Sequence, residues 1–208
     1  LNAVLADPGV NGALITHGTD TLEETSYFLS LVTKSDKPVV MVGSMRPATA
    51  ISADGPGNIY NGVAVVTNPG AKGKGTLVVL NDEIHYARNV MKTNTTTVQT
   101  FVSINRGPAG VVNTGKIQWF EPMDRKVGPA TGFSIDALDK LPRVDVIYAH
   151  ANMSADLIDA AIGAAGRWLG LCSPAHARGR PPSAATRASS TPPSHATAWA
   201  TANGACAH

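Results

Sequence analysis

A threonine hydroxyl, an aspartate carboxylate and a lysine amine together can perform nucleophilic catalysis, and this sequence sets the first two side by side. Residues 14–25 read LITHGTDTLEET. The apolar run Ala13–His17 ends at Gly18, so Thr19, Asp20 and Thr21 follow directly on a strand exit. A hydroxyl is a poor nucleophile until a neighbour removes its proton. Lys92, in RNVMKTNTT, is the candidate base. A lysine kept from water beside a carboxylate can take that proton, which would give Thr19, Lys92 and Asp20 the logic of a hydrolase triad. Plainer readings stand beside this one. Thr and Asp are favoured at helix starts, acids there gain from the helix dipole, and most lysines are solvated surface charges. His17 on a strand end suits a structural histidine. Thr21 and Glu24 have the spacing of a capping box, which assigns Thr21 to the helix. For Thr19 and Asp20, spacing alone leaves both capping and chemistry open.

The elements that must position these residues alternate. Ala13–His17 reads as a strand, and Thr21 to about Thr33 as a helix with Leu22, Phe28, Leu29 and Val32 on one face. Val39–Val42 is a second buried strand, 56–67 a second helix, and Thr76–Leu80 a third strand ending at Asn81-Asp82. That alternation predicts an α/β fold: a doubly wound, mostly parallel sheet with helices on both faces. Ligands of such sheets sit at the carboxyl ends of strands, where Thr19 and Asp20 lie. Gly115–Phe120 suggests a hairpin. The expected organisation is a partial N-terminal domain over 1–120, a linker over 121–142, and the start of a smaller α/β domain over 143–166, with Val144–Tyr148 as strand and 155–165 as helix.

The net charge of +2 averages two unlike segments. Residues 1–166 hold all 15 acidic residues, all eight lysines and five arginines, a net of −2; residues 167–208 hold only four arginines. The basic character belongs to the tail, so no nucleic-acid partner is expected. No apolar run approaches the roughly 18–20 residues that span a bilayer, and no membrane association is expected. The tail has 11 alanines and five prolines, and lacks Val, Ile, Phe, Tyr and Met. It cannot bury enough surface to offset its ordering entropy, so 167–208 is expected to be disordered or frame-shifted. Leu1 stands where a Met would start a chain, and the true start is expected upstream.

GALITHGTDTLEET, KPVVMVGSMRP, SADGPGNIYN, NDEI, RNVMKTNTT, GPAGVVNTGKI and YAHANMSADLIDAAIGAAG together resemble the bacterial type II L-asparaginases over residues 1–166. The resemblance implies hydrolysis of L-asparagine to L-aspartate and ammonia without metal or cofactor. It implies that Thr19 lies by the scissile amide with Lys92 as its proton acceptor. It also implies that Asp20 binds the substrate amino group while supporting Lys92, and that Ser44 contacts the side-chain amide through its backbone. A homotetrameric parent, periplasmic or secreted, is implied too, with a cytoplasmic one as the alternative.

The sequence departs from the family in lacking the Thr-Gly-Gly-Thr motif with its second active-site threonine, the Ser-Gln pair that grips the substrate carboxylate, and the rest of the second domain. The chain alone is therefore expected to be weakly active or inactive. Alternatives are a glutaminase-asparaginase of broader amide specificity, an amidotransferase subunit, and a non-catalytic module binding aspartate or asparagine. No phosphate loop supports a nucleotide binder, since GPGN at 55–58 lacks the Lys-Ser/Thr that a P-loop needs.

Overall fold

The computed structural model describes residues 1–120, 125–165 and 168–172. They fall into two compact units, Leu1–Ile135 and one beginning at Asp136.

In the first unit, α1 (Asn2–Ala6) leads to β1 (Ala13–Thr16), α2 (Leu22–Val32), β2 (Val39–Val42), α3 (Gly55–Thr67) and β3 (Thr76–Leu80). A helix separates each successive pair of strands, so the three strands run parallel, with Ala13 opposite Val39 and Val39 opposite Thr76. β4 (Glu83–Tyr86) follows through Asn81 and Asp82, both left-handed at φ 50° and 62°. Two such residues make the tight turn of a hairpin, and β4 is accordingly antiparallel to β3. The chain continues through β5 (Met91–Lys92), β6 (Phe101–Val102), β7 (Gly110–Asn113) and β8 (Lys116–Trp119). The main sheet has the order β1-β2-β3-β4-β7-β8, while among the described residues β5 and β6 pair only with each other. The fold is α/β, and its sheet is mixed: parallel over β1–β3 and antiparallel beyond. The expected hairpin is present, with its turn at Thr114-Gly115 and its strands reaching back to Gly110.

Alternation along the central strands builds two cores. Val40, Val42, Leu77 and Val79 join Val65 of α3 in one cluster. Met41, Val78 and Leu80 join Leu22 of α2, with Leu29 packed against it, in the other. Because successive strand side chains point to opposite faces, each helix covers its own face of the sheet. Gly62 lets α3 sit close: a Cβ there would lie 2.8 Å from both Leu14 and Val42 side-chain carbons.

Two expectations are corrected here. Thr21 does hold the N-cap position of α2, but at φ −124° and ψ 19° its side chain makes no capping bond, so the capping box does not form. That backbone lies off the extended conformation from which a cap hydroxyl reaches the first amides. Residues 125–135 were expected within a linker, yet Gly128–Thr131 forms a turn of 3-10 helix packed on α2, and Thr131 Oγ1 donates to Leu31 O at 2.6 Å.

In the second unit, β9 (Val144–Tyr148), α4 (Asp156–Ala165) and β10 (Trp168–Cys172) form a parallel βαβ unit with Trp168 opposite Val144. β10 falls within the stretch expected to be disordered or frame-shifted, and it is the first of these that a paired strand departs from. Composition averaged over 42 tail residues hides the five-residue run WLGLC, which is rich enough in apolar residues to pair as a strand. The remainder of that expectation, 173–208, lies outside the described residues.

Candidate active site

The loop from β1 into α2 is held where β1 meets β2. His17 N–H donates to Val42 O at 2.9 Å, extending the ladder one residue past β1. The His17 ring turns back on the chain, with Nδ1 2.7 Å from Gly18 O. Gly43, directly after β2, has no Cβ to push this loop away; one would lie 2.9 Å from His17 O and 3.0 Å from Thr19 Cγ2.

Lys92 arrives from β5. Its Nζ donates to Thr19 Oγ1 at 2.9 Å and to Asp20 Oδ1 at 2.6 Å. The lysine side chain is only 14 % exposed whereas that of Asp20 is 93 % exposed, so a sheltered cation meets a carboxylate open to solvent. The hydrogen bond from Lys92, and then its charge, hold the Asp20 carboxyl below the usual aspartate value. The contact between Lys92 and Thr19 can also run in the reverse sense. With the amine neutral, the Thr19 hydroxyl donates to Nζ, which is the geometry of proton removal from a nucleophile.

Ser44 is exposed, and the backbone around it is fixed. The Asp54 carboxylate receives the N–H groups of Met45 and Arg46 at 2.9 Å each. Asn58, buried on α3, donates to Gly43 O at 2.9 Å and to Asp54 Oδ2 at 3.1 Å, and accepts from Asn81 N–H at 3.1 Å. The turn holding Ser44 is thus clamped to the start of α3 and to the β3–β4 turn. Neither Asp54 nor Asn58 was singled out from the sequence. Their signal was an Asp before a Pro-containing helix start, and a polar residue four positions later on a helix that should be apolar inside.

Residues 1–125 match the family profile described as "Asparaginase, N-terminal". The chain belongs to the asparaginase family. Among its relatives, L-asparaginase 2 of Bacillus subtilis (strain 168) is 55 % identical over 169 residues, covering 81 % of this chain and 45 % of that protein. Glutaminase-asparaginase of Pseudomonas fluorescens biotype A is 49 % identical over 153 residues, 73 % of this chain and 42 % of that one. The crystal structure of a probable cytoplasmic L-asparaginase from Campylobacter jejuni superposes with a TM-score of 0.77 at 43 % identity, covering 79 % of this chain and 54 % of that chain. This chain spans about half the length of the curated relatives it matches.

Thr19, Asp20, Lys92 and Ser44 all lie in the first unit of this asparaginase-family chain. Thr19, Asp20 and Lys92 meet directly, and Ser44 follows Gly43, on which a Cβ would lie 3.0 Å from Thr19 Cγ2. By sequence Glu23 is an acid at a helix start and nothing more. It is 3 % exposed, and its carboxylate accepts the backbone N–H of Lys92.

Proposed function

We propose that this chain carries the Thr-Lys-Asp part of an L-asparagine amidohydrolase site. The supporting observation is the sheltered Lys92 amine in hydrogen-bond contact with both Thr19 and Asp20. In this reading Lys92 takes the proton of Thr19, or of a water held there, as oxygen adds to the side-chain amide carbon. The proton then passes to the departing nitrogen as the C–N bond breaks, releasing ammonia, and where Thr19 is the attacking oxygen a water then cleaves the resulting ester to free aspartate and the hydroxyl. Asp20 orients Lys92 and offers its exposed carboxylate to the substrate α-ammonium group. The Gly43–Arg46 turn, stiffened by Asp54 and Asn58, presents Ser44 backbone groups to the amide. The parent enzyme would be a homotetramer without metal or cofactor, and the unit beginning at Asp136 the opening of its second domain.

Ammonia release tests this. The chain alone should turn over asparagine feebly, because the family's second threonine is not in it; near-normal turnover would contradict that. Residues 1–135 substituted for the corresponding unit of the Bacillus subtilis relative should restore activity, and Lys92→Met in that hybrid should lower kcat by about 10²–10⁴-fold. An unchanged kcat refutes the reading. A second reading, hydrolysis of both asparagine and glutamine, is favoured by the similarity to a protein named for both amides. The ratio of kcat/KM for the two amides in the same hybrid separates them. A non-catalytic aspartate-binding module would bind aspartate in calorimetry and show no turnover for Lys92→Met to remove.

A further inference from the structure

We propose that Glu23 is the positioning residue of this site: its carboxylate receives the Lys92 backbone N–H and sets the register at which Nζ meets Thr19 and Asp20. The inference rests on the assignment of Thr19, Asp20 and Lys92 as the reacting set.

The need for such a residue comes from topology. β5 is two residues long and among the described residues pairs only with β6, outside the ladder of the main sheet. A lysine side chain also has four rotatable bonds, and its amine is placed only as well as its backbone is. Helix α2 supplies the missing constraint. Glu23 receives the Lys92 N–H, and Tyr27, one turn further along the same face, receives Arg88 Nη1 at 2.5 Å and stacks 5.6 Å beneath that guanidinium. Residues 88 and 92 are thereby pinned to the helix whose start carries Thr19 and Asp20. Nucleophile, carboxylate and base share one rigid frame although Lys92 comes from a separate hairpin.

Burial argues against a merely generic role. An acid in the first turn gains from the helix dipole while remaining in water. Glu23 is instead 3 % exposed, and a buried carboxylate is unfavourable unless strong donors satisfy it. The Lys92 amide is such a donor.

The test is a carbon-13 NMR titration of the Asp20 carboxyl in the full chain. It reads the Lys92–Asp20 pair whether or not the chain hydrolyses an amide, so a failed ammonia assay and a failed titration are separate results. In the unmodified chain Asp20 should titrate below the usual aspartate range, and Lys92→Met should raise it. Glu23→Ala should move Asp20 most of the way to the Lys92→Met position and shift the Lys92 amide proton upfield. Glu23→Gln, which keeps one acceptor oxygen, should fall between. Asp20 titrating as in the unmodified chain in both Glu23 variants overturns the proposal. Loss of helical circular dichroism in both also overturns it, because Glu23 would then determine the fold and not the register of Lys92.

Discussion

Lys92 and Thr19 stand 73 positions apart in the chain and 2.9 Å apart in space, Nζ to Oγ1. The strand exit that carries Thr19 and the hairpin that carries Lys92 are brought together by α2 and by the Leu22, Val90 and Phe101 side chains that share its core cluster. The contact therefore depends on this packing, and changes that disturb the packing should be felt at it.

The ion pair should be chemically important and mechanically minor. Asp20 is almost wholly exposed, and exposed ion pairs add little to stability. Asp20→Asn should leave the thermal midpoint of the chain unchanged while abolishing ammonia release by the hybrid enzyme. A fall in midpoint comparable to that of a core truncation would contradict this.

Acid should affect the fold through Glu83. Its carboxylate sits 3.3 Å from Nε2 of the fully buried His85, whose Nδ1 lies 2.9 Å from Ser103 Oγ, and this polar contact with His85 holds the Glu83 carboxyl below its usual value. A carboxylate lowered in the folded state stabilises above its unfolded value, and that contribution disappears as pH falls through the lower folded value. Glu83→Gln should therefore destabilise the chain at pH 7 and much less at pH 3, measured by urea denaturation. An equal effect at both pH values would rule out this linkage.

Two glycines near the site should behave oppositely. A Cβ on Gly43 would meet His17 O at 2.9 Å, a backbone atom that cannot swing away, whereas a Cβ on Gly18 would meet nothing within 4 Å. Gly43→Ala should cost about 1–3 kcal/mol, as overpacking does, and displace Thr19 from Lys92. Gly18→Ala should be tolerated. Equal denaturation midpoints for the two variants would show that the close approach at Gly43 is relaxed in solution.

Asn58 joins the ends of two strands to α3. Asn58→Ala would leave the Gly43 carbonyl and the Asn81 amide without their partner. The expected loss is about 3 kcal/mol, since unmatched polar groups away from water each cost roughly 1–3 kcal/mol. A loss under about 1 kcal/mol in urea denaturation would mean that water takes over these bonds.

Much of the scaffold was legible locally. β1, β2, β3, α2 and α3 announce themselves through apolar periodicity and through the glycines and prolines around them. β4 did not, because His85, completely buried, interrupts the apolar pattern of a core strand, and because Asn81-Asp82 can end a strand or turn a hairpin with equal ease. The capping expectation at Thr21 failed for a related reason: spacing permits a capping box, but the backbone angle decides whether the hydroxyl reaches. Glu23 was legible as an acid in a first helical turn, while its bond to a backbone 69 positions away was not.

By itself the amino-acid order determined which residue types stand at the strand exit, how the first three strands and two helices alternate, and which family motifs are present. Those are matters of short-range pattern, because helix and strand periods are properties of neighbouring residues. Only the tertiary structure decided that the sheet turns antiparallel after β3, that β10 pairs with β9, and that one particular lysine meets Thr19 and Asp20. Such contacts depend on which apolar faces find each other across the whole chain, and no local window contains that information.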